Sequence, residues 1–198
     1  MKLKTLLAPT YVQMLSALGA WLDKAGEQFA HDHTAREALL RASLAPDMYP
    51  LSTQIRFACV QAHEGMYRLR GEAFPAAIET LLDEGRHAGA HPGTLAEARA
   101  RIDETLARVE ALAADGAEGE PAADGLDEAE RPLAHALPNG MVFDLTAGQY
   151  ARDWAIPQFY FHVMTAYAIL RSQGVVLGKA DYVAHMLPFL RAETAPAA

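Results

Sequence analysis

Cysteine is almost absent from this chain, because Cys59 is the single example in 198 residues. An intrachain disulfide is therefore impossible, and a zinc site built from several thiolates is excluded. A lone thiol is typical of a reducing compartment, which predicts a cytoplasmic protein. A membrane-spanning helix needs an apolar run of roughly 20 residues. The apolar stretch over residues 159–170 is far shorter, so we expect no membrane partner.

Basic residues are also scarce, with 17 Lys and Arg against 25 Asp and Glu, which gives a net charge of −8. An acidic protein gains nothing from counterion release on DNA or RNA, so we predict no nucleic-acid partner. Hydrophobic residues make up 51% of the chain and charged residues 21%, which is the composition of a globular protein. The length suits one domain, and we predict a single domain over residues 1–198.

Apolar residues recur at intervals of three and four in four long segments, which is the spacing of a buried helix face. The predicted long helices are residues 11–29, 51–69, 95–112 and 157–172. Two capping-box patterns, Thr34 with Glu37 and Thr94 with Glu97, predict that helices start there. Shorter helices are expected over residues 74–84, where Gly85 would end the helix, and over residues 181–187.

The pattern changes between the third and fourth long helices. Residues 115–130 combine acidic residues with Gly and Pro, which predicts a mobile acidic loop. Residues 133–137 and 141–145 then flank Pro138-Asn139-Gly140, a turn sequence typical of a β-hairpin. We expect a disordered tail over about residues 192–198. The predicted fold class is all-α: a four-helix bundle with a small β-hairpin and short extra helices.

Three parts of the chain carry a family resemblance. The first part is residues 44–51 (LAPDMYPL), with Gln54 and residues 58–59, and the second part is residues 97–110. The third part is the strongest match and consists of residues 157–162 (PQFYFH), residues 165–171 and parts of residues 174–181. These parts resemble the bacterial domain-of-unknown-function family DUF1993, which is similar to the DinB/YfiT-like metalloenzyme bundles. The resemblance implies that fold. In better-known members, three histidines bind a divalent metal, one on the second long helix and two at H-x3-H on the last. Some of these members use the metal to activate a low-molecular-weight thiol.

The resemblance implies that His162 matches the first histidine of the H-x3-H pair, whereas Ala166 stands at the second position. The histidine available on the second long helix is His63, more than one turn from the expected position. A catalytic zinc site needs about three protein ligands. Two interpretations stay open. His63 and His162 could form a degenerate site for Zn or Ni, completed by Glu64 or Gln158, or His162 could be a hydrogen-bonded core histidine.

Other polar residues within the matching segments are pocket candidates, namely Asp47, Gln54, Gln158 and Tyr167. Asp47 and Gln54 could line a pocket or cap the second long helix, and an acidic residue favours the cap interpretation. His87 and His91 have H-x3-H spacing, but the surrounding Gly and Pro residues predict a loop there.

The function hypothesis is therefore an uncharacterised DinB-like bundle without an intact metal site, which binds a small molecule or associates as a homodimer. One alternative is a metal-dependent thiol S-transferase that uses the degenerate histidine site. The other is a stress-related interaction protein that docks through the acidic loop.

Overall fold

The structure of the protein is a computed structural model that describes residues 2–115 and 127–191. Most of the predicted acidic loop and the whole predicted tail lie outside these residues. Within the described ranges, no helix is long and apolar enough to cross a membrane.

The chain is mostly helical and contains a small antiparallel sheet, which confirms the predicted fold class. The α-helices are α1 Lys4–Gln28, α2 His33–Arg41, α3 Leu51–Arg70, α4 Ala76–His87, α5 Leu95–Ala114, α6 Ala147–Gln149, α7 Ile156–Ser172 and α8 Lys179–Tyr182. The strands are β1 Pro132–Ala136 and β2 Val142–Thr146. Two short 3-10 helices span Glu128–Glu130 and Ala184–Phe189, and a π-helical turn spans Tyr150–Ala155.

The four long helices surround one hydrophobic core. Helix α3 packs against α1, α5 and α7, and α1 also packs against α5 and α7. The largest fully buried side chains include Trp21 and Tyr11 of α1, Phe159 of α7 and Leu51 of α3. Helix α4 covers the outer side of α3. Because α4 and α5 both contact α3, the three helices enclose the space in which the candidate site lies.

Helix α7 begins at Ile156, one residue before the predicted start at Pro157, and further helical residues precede it from Ala147. Helix α6, the π-helical turn and α7 follow one another without a break, and Thr146 and Gln149 form a capping box at the start. Pro157 looks like a first-turn residue in the sequence because it lacks an N–H group. In the structure the widened π-helical turn lies directly before this proline, so the helix continues past the missing donor.

Two further boundaries correct the sequence-based predictions. Helix α2 is capped by the side chain of Asp32, which accepts a hydrogen bond from the Ala35 N–H, so the predicted start at Thr34 is wrong. Helix α4 continues to His87 instead of ending at Gly85. Gly85 is needed for packing: a Cβ atom there would lie 2.5 Å from Cε1 of Phe57 on α3.

The predicted hairpin is confirmed, and β1 pairs with β2 in an antiparallel register that places Leu133 opposite Leu145. Leu137 and Met141 close the turn, because the Leu137 N–H donates to the Met141 carbonyl at 2.8 Å. Gly140 alone in this turn has a positive φ, of 87°, which fits a three-residue loop ending in a left-handed glycine.

Candidate ligand-binding site

His162 is a buried residue of α7 that faces α3. Its Nδ1 atom lies 2.8 Å from Oε1 of Gln54, whose Nε2 donates to the Tyr49 carbonyl at 3.1 Å. Because Gln54 uses its amide nitrogen on Tyr49, its oxygen faces His162, and Nδ1 must carry the donated hydrogen. Burial lowers the pKa of His162 from 6.5 to about 4. His162 is therefore a neutral, hydrogen-bonded histidine at pH 7.

His63 lies on a different side of α3 from the residues that meet His162. Gln54 and His63 are nine positions apart, which is two and a half helical turns and roughly 13 Å along the helix axis. Their side chains therefore point to opposite faces of α3, and His63 does not meet His162. Among the described residues, no group of three His, Cys, Asp or Glu side chains is placed to hold a metal ion.

The remaining predicted site residues are scattered. Asp47 is exposed in the turn before α3 and does not cap that helix, which begins after Pro50 without a side-chain cap. Gln158 is half-buried on α7. The half-buried Tyr167 packs its ring on Trp21, with the centroids 5.1 Å apart. Of these residues, only Gln54 comes together with a predicted histidine.

Cys59 lies in the core, whereas His87 and His91 lie at the surface around the end of α4. Cys59 is fully buried, and burial raises the pKa of its thiol to about 12. His87 ends α4 and its Nδ1 donates to the Asp83 carbonyl at 2.8 Å, whereas His91 follows in the loop. Both histidines are exposed. A buried thiol with a raised pKa is a poor nucleophile, so Cys59 acts as a small core residue.

A cavity of about 380 Å³ lies between α3, α4 and α5. One part of its wall is apolar and consists of Tyr67, Pro75, Ala77, Ile78 and Leu81. The other part is polar and consists of His63, Thr80, Glu84, Arg101, Glu104, Thr105 and Arg108. Ligand pockets in proteins combine these two kinds of surface and have volumes of about 300–1,000 Å³.

His63 is a buried polar residue in the wall of this cavity. Its Nδ1 atom is buried without a hydrogen-bond partner among the described residues. Burial, together with the positive charge of Arg108, lowers the pKa of His63 from 6.5 to about 4. His63 is therefore neutral at pH 7, and because its Nδ1 has almost no accessible surface, Nε2 is the ring nitrogen that a ligand could reach.

The charged residues of the cavity wall are paired, with one exception. Arg101 binds both carboxylate oxygens of Glu84, at 3.0 and 2.6 Å, and one oxygen of Glu104 at 2.8 Å. Arg56 also approaches Glu84, with its Nε 3.7 Å from Oε2, so the two acidic residues of the wall are matched by two arginines. Arg108 is exposed and has no carboxylate within ion-pair distance in residues 2–115 and 127–191. The cavity therefore carries one unpaired positive charge.

A second polar cluster lies beneath the hairpin, and the sequence analysis missed it. The ring of the fully buried His135 packs on Trp154 at 4.5 Å and on Tyr150 at 5.2 Å between centroids. Its Nδ1 is 3.9 Å from Oε1 of Glu64. Both ring nitrogens of His135 lack hydrogen-bond partners in the described part of the chain, as do the hydroxyls of Tyr11 and Tyr150.

A sequence signal for His135 does exist. Side chains alternate between the two faces of a strand, so His135 shares the inward face of β1 with Leu133. Glu64, Tyr150 and Tyr11 come from other elements, so no spacing rule brings them to this histidine.

Two comparisons with known proteins find a match. The sequence model of the DUF1993 domain of unknown function matches residues 3–183. A crystal structure of a DinB family member protein from Shewanella denitrificans is 30% identical to this chain, with a TM-score of 0.68. That match covers 99% of this chain and 100% of the Shewanella chain. No curated protein matches.

Proposed function

The chain belongs to the DUF1993 family and resembles a DinB family member over its whole length, and from this premise we propose that it binds a small molecule in the cavity between α3, α4 and α5. The observation that carries the proposal is a cavity of about 380 Å³ whose wall joins an apolar side to the polar side chains of His63, Thr105 and Arg108.

The cavity volume limits the size of the ligand. A water molecule occupies about 30 Å³ in the liquid, so about 380 Å³ corresponds to roughly a dozen non-hydrogen atoms. A small metabolite or one part of a larger compound fits this size, whereas a nucleotide does not. The apolar side chains of Ile78 and Leu81 would contact the body of the ligand, and the polar wall would orient it.

Fragment screening by NMR tests the proposal directly. We expect neutral, anionic or cationic fragments of up to a dozen non-hydrogen atoms to shift the backbone amide signals of His63, Tyr67 and Thr105. The Ala77→Trp variant should abolish binding, because Ala77 is exposed and lines the cavity, so a large ring there fills it from the rim. Ala76→Trp is the matched control, since Ala76 is exposed on the same helical turn outside the wall.

Two results would contradict small-molecule binding. One is a screen in which no fragment shifts these amides, and the other is binding that Ala77→Trp leaves unchanged. Calorimetry with Zn²⁺ and Ni²⁺ addresses the alternative of a metal-dependent S-transferase. Uptake of one ion per chain that His162→Ala abolishes would favour that enzyme over the present proposal.

A second candidate function, self-association, is favoured by the outer face of α7. Phe161 and Met164 are 56% and 38% exposed and lie three positions apart, so their side chains are neighbours on the helix surface. We expect light scattering coupled to size-exclusion chromatography to show a dimer that Phe161→Ser converts to a monomer. A monomeric wild-type protein at the highest attainable concentration would contradict self-association.

A further inference from the structure

The chemistry of the ligand follows from the charges at the cavity that the protein itself leaves unpaired. Glu104 bonds to Arg101, and Glu84 bonds to Arg101 and pairs with Arg56, so two arginines balance the charges of the two acids. Arg108 has no such partner among the described carboxylates. A ligand with one negative charge would pair this arginine, whereas a ligand with a positive charge would be repelled by it.

Arg108 and His63 together form a site for two oxygens. His63 and Arg108 both line the cavity, and the positive charge of Arg108 contributes to the low pKa of His63. A guanidinium binds a carboxylate through a planar fork, with a geometry that an ammonium group lacks. Because Nδ1 of His63 is buried, Nε2 is the ring nitrogen that a ligand can reach, and in the tautomer protonated there His63 adds one neutral N–H donor. A carboxylate offers enough acceptor sites for both groups.

The rest of the cavity excludes large or strongly polar anions. The side chains of Tyr67, Pro75, Ile78 and Leu81 present no charge and only one hydroxyl group. A ligand with a second charged group would have to bury that group against this apolar wall, which is costly. The ligand body is therefore compact and apolar, of aromatic or branched aliphatic type.

We infer that the ligand is a small monocarboxylate with an apolar body, whose carboxylate binds Arg108 and His63 and whose body packs on Ile78, Leu81 and Tyr67. This inference rests on the proposed function, because it names the chemical class that the same cavity selects.

Two isosteric probes test the charge requirement. 3-Phenylpropionate and 3-phenylpropanamide have the same shape and differ in charge at one end. We expect the carboxylate to bind the wild-type chain at least tenfold more tightly than the amide in NMR titrations. Arg108→Gln should weaken carboxylate binding about tenfold and leave amide binding unchanged. Arg86→Gln, which removes an exposed charge outside the cavity, controls for the change in net charge.

The ring of His63 gives a second measurement. A bound carboxylate favours the charged form of a nearby histidine, so the pKa of His63 should rise from about 4 when 3-phenylpropionate binds. The neutral amide should leave it unchanged.

The outcomes separate the two proposals. If the amide binds as tightly as the carboxylate, or if only neutral or cationic fragments bind, the inference of a carboxylate is wrong and small-molecule binding stands. Carboxylate binding that is insensitive to Arg108→Gln also overturns the inference. If no fragment of any charge binds, small-molecule binding itself is wrong.

Discussion

Gly65 shows how closely two of the long helices approach at the level of single atoms. A Cβ atom at Gly65 of α3 would lie 2.1 Å from the hydroxyl oxygen of Tyr11, a fully buried residue of α1. Only glycine leaves room for this hydroxyl. We therefore expect Gly65→Ala to lower the free energy of unfolding by about 1–3 kcal/mol, the usual cost of overpacking, in urea unfolding experiments.

Gly26 of α1 provides the matched control for Gly65. The nearest atom to a Cβ at this position is Cδ1 of Leu95, at 4.0 Å, so alanine fits without a clash. Alanine is a better helix former than glycine by roughly 1 kcal/mol. Gly26→Ala should accordingly raise the free energy of unfolding or leave it unchanged. Equal effects of the two substitutions would show that Tyr11 does not restrict Gly65.

Part of the candidate site could be predicted from individual residues. The sequence indicated that His63 and His162 deserve attention, since each interrupts an apolar helical segment. It could not show that they lie on different sides of α3, because the direction of His162 depends on how α7 packs against α3. Arg108 carried no signal, since an exposed arginine becomes informative only when the surrounding acids are seen to bind Arg101 instead.

The capping box at the start of α5 permits a prediction at the level of one element. The Thr94 side chain accepts from the Glu97 N–H at 3.1 Å, and the Glu97 carboxylate accepts from the Thr94 N–H at 2.7 Å. Loss of such a cap costs about 0.5–2 kcal/mol. We expect Thr94→Ala to lower the free energy of unfolding by this amount, measured by urea unfolding at pH 7.

Thr34 and Glu37 have the same sequence pattern as Thr94 and Glu97 but do not form the cap of a helix, so Thr34 is the control for this prediction. It is exposed within α2, whose cap is Asp32. Thr34→Ala should therefore leave the free energy of unfolding unchanged or raise it slightly, since alanine is the better helix former. A loss as large as that of Thr94→Ala would argue that Thr34, and not Asp32, caps α2.

At the level of elements, the spacing of apolar residues predicted the helices better than the Gly and Pro residues that usually end or begin helices. The three earlier long helices were found from the spacing of their apolar residues, which is a direct consequence of one buried face. The predicted end at Gly85 was wrong because glycine usually ends a helix, and the predicted start at Pro157 missed only the helical residues that precede α7. Here the Phe57 ring needs the space at Gly85, and a π-helical turn lets the chain continue as a helix into Pro157. Such tertiary reasons are not visible in local sequence.

For the whole molecule, three buried histidines predict how stability depends on pH. Burial is the main cause that lowers the pKa of His63, His135 and His162, each from 6.5 to about 4. Between these two values the unfolded chain binds protons that the folded chain does not. The free energy of unfolding therefore rises with pH in this range, and the contribution of the three histidines is lost as the pH falls from about 6.5 towards 4.

Urea unfolding at several pH values measures this dependence as a number of protons. We expect the unfolding of the wild-type chain near pH 5 to take up close to three protons, and that of His162→Gln about one fewer. His31→Gln, which makes the same substitution at an exposed turn residue, is the matched control variant. Acids with lowered pKa values, such as Glu97 and Asp181, lose their contribution only below their ordinary values of 4.5 and 3.8. A stability that stays constant from pH 7 to 5 would contradict the role of the histidines.

The same proton count connects the cavity with the stability of the whole molecule. If a carboxylate bound at Arg108 raises the pKa of His63, the folded chain will bind part of the proton that the unfolded chain takes up there. Saturating 3-phenylpropionate should then reduce the proton uptake near pH 5 by up to one, whereas 3-phenylpropanamide should not. The effect should disappear in Arg108→Gln if that variant no longer binds the carboxylate. Because the uptake at His135 and His162 is independent of this cavity, at least about two protons should remain in every case.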